Sequence, residues 1–225
     1  RGPMALSSSA CISVFLSGLA IFAFCAAFVP AFHDDSTWNL VRSSASFERI
    51  PIPGSHFQLV RLTAHHEHSR QANDAVSPIL FVHGNMGSFL QGFNILEFLS
   101  WEEWPPRYYA VDFHRSPSAL HSSIILDQAD FIHSAVEAIS TRHKQRVLIL
   151  AHSAGALAVA AANLTSAKVG GIVTINAPLS GHPLFVDPTT VSFVQSLPPS
   201  VLPPDIPVVA LSSGAKDSLV PHDWG

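Results

Sequence analysis

Beyond Cys25 the chain has no cysteine, and both of its cysteines, Cys11 and Cys25, fall inside one apolar run near the N-terminus. The rest of the chain can therefore build neither a disulfide framework nor a set of thiolate metal ligands. Charge is also scarce. Asp, Glu, Lys and Arg make up 12% of the 225 residues, the formal net charge is −4, and no run of Lys and Arg occurs. Affinity for nucleic acid comes chiefly from clustered cations on phosphates, so a nucleic-acid surface is excluded. There are no internal repeats either, and a length of 225 residues allows one domain or two, with one full α/β domain the expectation.

One segment carries much of the apolar composition. From Ala10 to Phe32 the sequence reads ACISVFLSGLAIFAFCAAFVPAF without a charge, long enough as a helix to cross a hydrocarbon core of about 30 Å. A cleaved signal peptide is the alternative, but its apolar part usually runs only about 7 to 15 residues. The expectation is a retained transmembrane anchor. Arg1 precedes it and Asp34 and Asp35 follow it, a charge asymmetry that leaves the short N-terminus cytosolic and the remainder lumenal. The segments expected are a tail over 1–9, an anchor over 10–32, a Ser- and Pro-rich linker over 33–56 and a catalytic domain over 57–225. Arg-Gly-Pro ahead of Met4 suggests a fragment or a translated reading frame rather than a natural start.

Along the domain the pattern alternates. HFQLVRLTA fits a strand, PILFVHG a buried strand, SFLQGFNILEFLSW a helix and RYYAVDF another strand. LDQADFIHSAVEAIS places Ala129, Ile132, Val136 and Ile139 at helical spacing; RVLILAHS is a strand, AGALAVAAANL a helix, and GGIVTINAP and PVVALSS further strands. Strands that are apolar throughout, separated by helices, indicate a mostly parallel sheet covered on both faces. The insert HHEHSRQANDAVSP contains His65, His66 and His68, but adjacent histidines on a strand point to opposite faces, so the insert reads as a solvated loop and not a metal site. Asn163-Leu164-Thr165 is a glycosylation triplet compatible with a lumenal location, though it falls at the end of the expected packed helix.

The chemistry concentrates where a strand meets an alanine-rich helix. Ala151-His152-Ser153-Ala154-Gly155 matches the G-x-S-x-G pentapeptide with alanine in first place. In that motif a serine sits on a strained strand-to-helix turn whose neighbours must be small. The helix start supplies unclaimed N–H groups near the hydroxyl. A serine that merely caps a helix would need no partners elsewhere, and here partners are present. FVHGNMGS ends a strand in a Gly-rich loop able to aim the N–H of Asn85 or Met86 at the serine, forming an oxyanion hole with the N–H of Ala154. Asp217 lies just past the strand VVALSS, in the order of serine then acid that the α/β-hydrolase fold uses.

The fold's order also puts the triad histidine after the acid, and only His222 follows Asp217. Five residues leave no room for a further strand, so the expectation is that the C-terminal part of the fold and its base are missing. His83, His114, His121, His133, His152 and His182 all precede the acid.

These residues resemble a family, the GPI inositol-deacylases, membrane-anchored serine hydrolases of the endoplasmic reticulum. The likeness rests on PILFVHGNMGSFLQ, with its G-N-x-G-S loop; on YYAVDFHRSPSALHSSIILDQADFIHSAVEAI, with its V-D-F and D-Q-A elements; on VLILAHSAGALAVAA; and on INAPLSGHPLFVDP. It covers about Pro78 to Val220. Ala151 stands where the family more usually has glycine, and Asn176-Ala177-Pro178 where it tends to have T-P-H. The resemblance implies Ser153 as nucleophile, Asp217 as acid, hydrolysis of the acyl ester on the inositol of a GPI-anchor precursor, and a lumenal domain at the endoplasmic reticulum membrane. No metal or cofactor is expected, because an oxyanion hole supplies the charge stabilisation an inositol ester requires. The rival readings are a secreted or lumenal lipase or esterase on glycerolipids, and a non-catalytic hydrolase-fold module.

Overall fold

The computed structural model of the protein describes residues 45–64, 76–100, 106–179, 188–196 and 202–212. The apolar segment 10–32, the insert with His65, His66 and His68, and the residues His182, Asp217 and His222 lie outside the described residues. No helix among the described residues is long and apolar enough to cross a membrane.

Seven strands are described: β1 (Ala45–Pro51), β2 (Gln58–Ala64), β3 (Ile79–Val82), β4 (Tyr108–Asp112), β5 (Val147–His152), β6 (Val169–Ile175) and β7 (Val208–Leu211). They form one sheet in the order β1-β2-β4-β3-β5-β6-β7. From β4 to β7 every neighbouring pair is parallel, while β1 and β2 join as an antiparallel pair, with β2 antiparallel to β4. The expected mostly parallel α/β architecture is thus present, with an antiparallel extension at one edge.

That extension corrects the expected linker over 33–56, because Ala45–Pro51 is a strand in register with β2, from Ala45 opposite Ala64 to Pro51 opposite Gln58. Its Ser, Glu, Arg and Pro content suits an outer strand. Among the described residues only one side of it pairs, and exposed charges together with a terminal proline discourage further pairing. The turn into β2 passes through Gly54 at φ +80°.

Burial follows position in the sheet. All four residues of β3 are buried, as are Tyr108 to Val111 of β4, whereas all four of β7 are exposed. Full coverage therefore holds at the centre, and the apolar run of β7 reflects its place at the other end of the strand order.

The helices are α1 (Phe93–Ser100), α2 (Ser122–His143), α3 (Gly155–Ala161) and α4 (Pro188–Ser196). In α2 the residues Ala129, Ile132, Val136 and Ile139 are buried, as their spacing predicts. The helix stops at Lys144 in the left-handed region, φ +53°. The rings of Phe57, Phe113 and Phe131 pack edge to face, with centroids 5.1 to 6.1 Å apart, and tie the β1–β2 turn and the end of β4 to α2.

α3 is shorter than expected. It ends at Ala161, Ala162 is extended (φ −71°, ψ 137°), and Leu164 joins the core while Asn163 is exposed. Alanine propensity would carry the helix further, but burial of Leu164 draws the chain out of it, so the triplet at Asn163 is not helical.

Candidate active site

Ser153 follows β5 directly and takes φ +52°. A non-glycine residue in this region is strained by about 1 to 3 kcal/mol and stays there only when its surroundings hold it. Several contacts do so. The N–H of Ser153 donates to the Ile175 carbonyl at the end of β6 (2.9 Å), and its own carbonyl accepts from Ala156 N–H (3.0 Å). Ala151 is fully buried between Val82 and Thr174 on the adjoining strands, so the first place of the pentapeptide accommodates a methyl group. The fifth does not. A Cβ on Gly155 would lie 2.5 Å from the His83 carbonyl oxygen and 2.9 Å from that of Val82.

The loop after β3 passes across the elbow. A Cβ on Gly84 would lie 2.8 Å from Ser153 Cβ and 3.3 Å from its Oγ, so glycine is required where this loop meets the hydroxyl. A Cβ on Gly87 would meet Gln91 Oε1 at 2.6 Å and His83 Nδ1 at 2.8 Å.

His83 is 1% exposed. Its Nδ1–H donates to the Gly84 carbonyl (2.9 Å), and its Nε2 accepts from Phe113 N–H (3.2 Å). Those partners require the neutral Nδ1–H tautomer. Burial pushes its pKa down to about 4, opposed by the Gly84 carbonyl and Asp112 and assisted by His152. His83 is therefore a neutral brace between the loop after β3 and the end of β4.

Two more bonds link these loops. Met86, at φ +51°, donates its N–H to the Ser116 carbonyl (3.1 Å), and Asn85 Oδ1 accepts from Ala119 N–H (2.9 Å). The turn that supplies Ser116 runs through His114 and Arg115, both left-handed at φ +53° and +58°, and closes with Ser116 N–H on the Phe113 carbonyl (3.0 Å). Of the two alternatives for the oxyanion hole, Met86 N–H is thus committed to Ser116, a correction to its expected role. The N–H groups of Asn85 and Ala154 have no hydrogen-bond partner among the described residues.

The sequence reading missed the brace and the Asn85 side-chain bond. The available signal was a lone imidazole, His83, ending an otherwise apolar strand. Other described histidines are held elsewhere: His114 donates to the His56 carbonyl (2.9 Å), His133 to the Asn163 carbonyl (2.7 Å), and His143 Nε2 pairs with Tyr109 OH (2.7 Å). His152 adjoins Ser153 in sequence, yet no hydrogen bond reaches Ser153 Oγ among the described residues. A separate cavity of about 290 Å³ lies between the β1–β2 turn and α2, lined in part by His56, Asp127, Asp130 and Ser134; no elbow residue borders it.

Comparison with known proteins connects this arrangement to others. A family model, the PGAP1-like alpha/beta domain, matches residues 75–225. GPI inositol-deacylase B of Yarrowia lipolytica is 25% identical over 185 residues, covering 65% of this chain and 19% of that protein. The GPI inositol-deacylase of Schizosaccharomyces pombe is 26% identical over 178 residues, covering 60% and 15%. The chain thus matches about a fifth or less of those relatives' length. Among solved structures, TT1662 of Thermus thermophilus superposes with a TM-score of 0.58 at 14% identity, covering 80% of this chain and 79% of its own. Esterase 2 of Thermogutta terrifontis, phosphoramylated by tabun, gives 0.53 at 17% identity, covering 80% and 75%. At such identities the likeness is one of fold.

Proposed function

Because the chain belongs to the PGAP1-like alpha/beta domain family, we propose that it is the catalytic domain of a serine ester hydrolase that removes the acyl chain from the inositol of GPI-anchor precursors. Relatives named GPI inositol-deacylase support that substrate. The reading places the domain in the lumen of the endoplasmic reticulum, beside the membrane that carries its lipid substrate, with residues 10–32 as anchor.

The observation that carries the reading is the left-handed Ser153, against which Gly84 of the loop after β3 packs, together with Asn85 and Ala154 N–H groups that have no hydrogen-bond partner among the described residues. In the proposed reaction Ser153 Oγ attacks the ester carbonyl, and the developing oxyanion takes hydrogen bonds from Asn85 N–H and Ala154 N–H. Such donors act at full strength when they are fixed in advance. His83 and Asn85 Oδ1 supply that fixing by bonding the loop to the segment after β4. The inositol hydroxyl leaves with the proton taken from serine, and water then hydrolyses the acyl-enzyme. Asp217 is the proposed acid, whose role in this fold is to orient the triad histidine.

The test supplies the protein as its gene encodes it, in detergent micelles, with an inositol-acylated GPI precursor and separately with a glycerolipid ester, and follows fatty-acid release by mass spectrometry. Release from the inositol ester, lost in Ser153→Ala, is expected. Release from the glycerolipid alone would favour the lipase reading, and release from neither would favour a non-catalytic module.

A further inference from the structure

We propose that Asn163 carries an N-linked oligosaccharide. Asn163-Leu164-Thr165 is the one Asn-x-Ser/Thr triplet in the chain. A glycan at such a triplet is compatible with the fold only where the folded chain leaves the asparagine open to solvent. A packed helix would not, but α3 stops at Ala161 and its cap is extended. Asn163 and Thr165 are both exposed, while Leu164 between them is 8% exposed and anchored in the core.

The backbone here is held by bonds that leave the asparagine side chain out of the packing. The Asn163 carbonyl accepts from His133 Nδ1 (2.7 Å), Leu164 N–H donates to the Ala162 carbonyl (2.8 Å), and the Thr165 carbonyl accepts from the N–H groups of Lys168 and Val169 (3.0 and 2.9 Å). A glycan can therefore be attached without opening the fold.

Position adds a second argument. β5 and β6 are parallel and α3 lies in the crossover between them, so the chain leaves the sheet at Ser153 and returns toward the start of β6 at the opposite edge. The seven residues of α3 alone advance the chain about 10 Å. A glycan at Asn163 projects from the edge away from Ser153 and leaves the approach of a lipid substrate open.

In the modification, Asn163 Nδ2 attacks the anomeric carbon of a polyprenyl-pyrophosphate-linked oligosaccharide. The C–N bond forms, the bond from that carbon to phosphate oxygen breaks, the polyprenyl pyrophosphate departs, and the amide proton is lost to the transferase's base. The inference rests on the lumenal placement proposed above, so the test carries an independent reporter of placement. Pro53→Asn creates a second triplet, Asn-Gly-Ser, at the exposed turn before β2.

The protein is expressed in eukaryotic cells and its gel mobility compared before and after peptide N-glycosidase. The expected result is one glycosidase-sensitive shift in the wild type, retained in Thr165→Ser, lost in Asn163→Gln and Thr165→Ala, and doubled in Pro53→Asn. A shift in Pro53→Asn that persists when Asn163→Gln is added, with none in the wild type, would overturn the glycan at Asn163 and leave the lumenal placement standing. No shift in any variant would overturn both.

Discussion

Ser153 holds a left-handed backbone at a turn whose neighbouring positions are tightly packed: Ala151 is sealed between strands, Gly155 faces the His83 carbonyl, and Gly84 faces the hydroxyl. Gly155→Ala forces a methyl group against backbone at 2.5 Å, and overpacking of this kind costs about 1 to 3 kcal/mol. A lowered midpoint in urea unfolding is the expected outcome. Gly84→Ala presses on Ser153 itself, so its effect belongs in turnover; a misplaced nucleophile can lose about 100-fold in rate, and kcat should fall by that order with KM little changed. His83 makes acid stability a readout. Its folded pKa of about 4 lies below the usual 6.5 or so of an unfolded histidine, so between those values the unfolded chain binds the extra proton. Its contribution is complete above about pH 6.5 and is lost as pH falls toward 4, by at most about 3 kcal/mol. His83→Gln, which keeps an acceptor for Phe113 N–H, should flatten the loss of stability between pH 7 and pH 4.5, measured by urea titration at each pH. At this scale the sequence was informative about the elbow, since the pentapeptide's demand for small residues is local. It was silent on the choice between Asn85 and Met86, because a bond to Ser116, thirty residues away, makes that choice.

At the scale of elements, the proposed catalysis depends on how the loop after β3 is docked on the turn after β4. Three bonds do this: Phe113 N–H to His83, Met86 N–H to the Ser116 carbonyl, and Ala119 N–H to Asn85 Oδ1. Removing the last leaves a part-buried donor without its acceptor, at about 1 to 3 kcal/mol. Asn85→Ala should therefore slow acyl transfer by at least tenfold, measured as kcat on the inositol ester, while Asn85→Asp, which keeps an acceptor oxygen, should retain most of it. Equal losses in the two variants would place the effect elsewhere than in this bond. The strands β2 to β6 and the helix α2 were legible from apolar periodicity. β1 was not, because an outer strand needs little apolar content and its Ser-Pro composition imitates a linker. The end of α3 was misjudged for the converse reason: a run of alanines favours helix locally, and only the core's demand for Leu164 ends it.

For the whole molecule, the proposed activity needs a lipid ester delivered to the Ser153 edge of the sheet. An anchor over 10–32 would keep the domain beside that lipid, and its test is simple: after washing with alkaline carbonate the tagged protein should remain in the membrane pellet, whereas a shorter soluble form would mean the segment is a cleaved signal. Such a result concerns delivery and not chemistry. The central claim, that the strained serine at the β5–α3 elbow is the nucleophile, is tested most directly by covalent trapping. The protein, as its gene encodes it and in cell membranes, is treated with a fluorophosphonate probe and digested with trypsin, and the labelled peptide is sequenced. After treatment with peptide N-glycosidase to free Asn163 of any glycan, the account predicts label on Ser153 in the peptide Val147–Lys168, absent from Ser153→Ala although that variant is expressed at the same level. Label on a different residue, or undiminished labelling of Ser153→Ala, would contradict it.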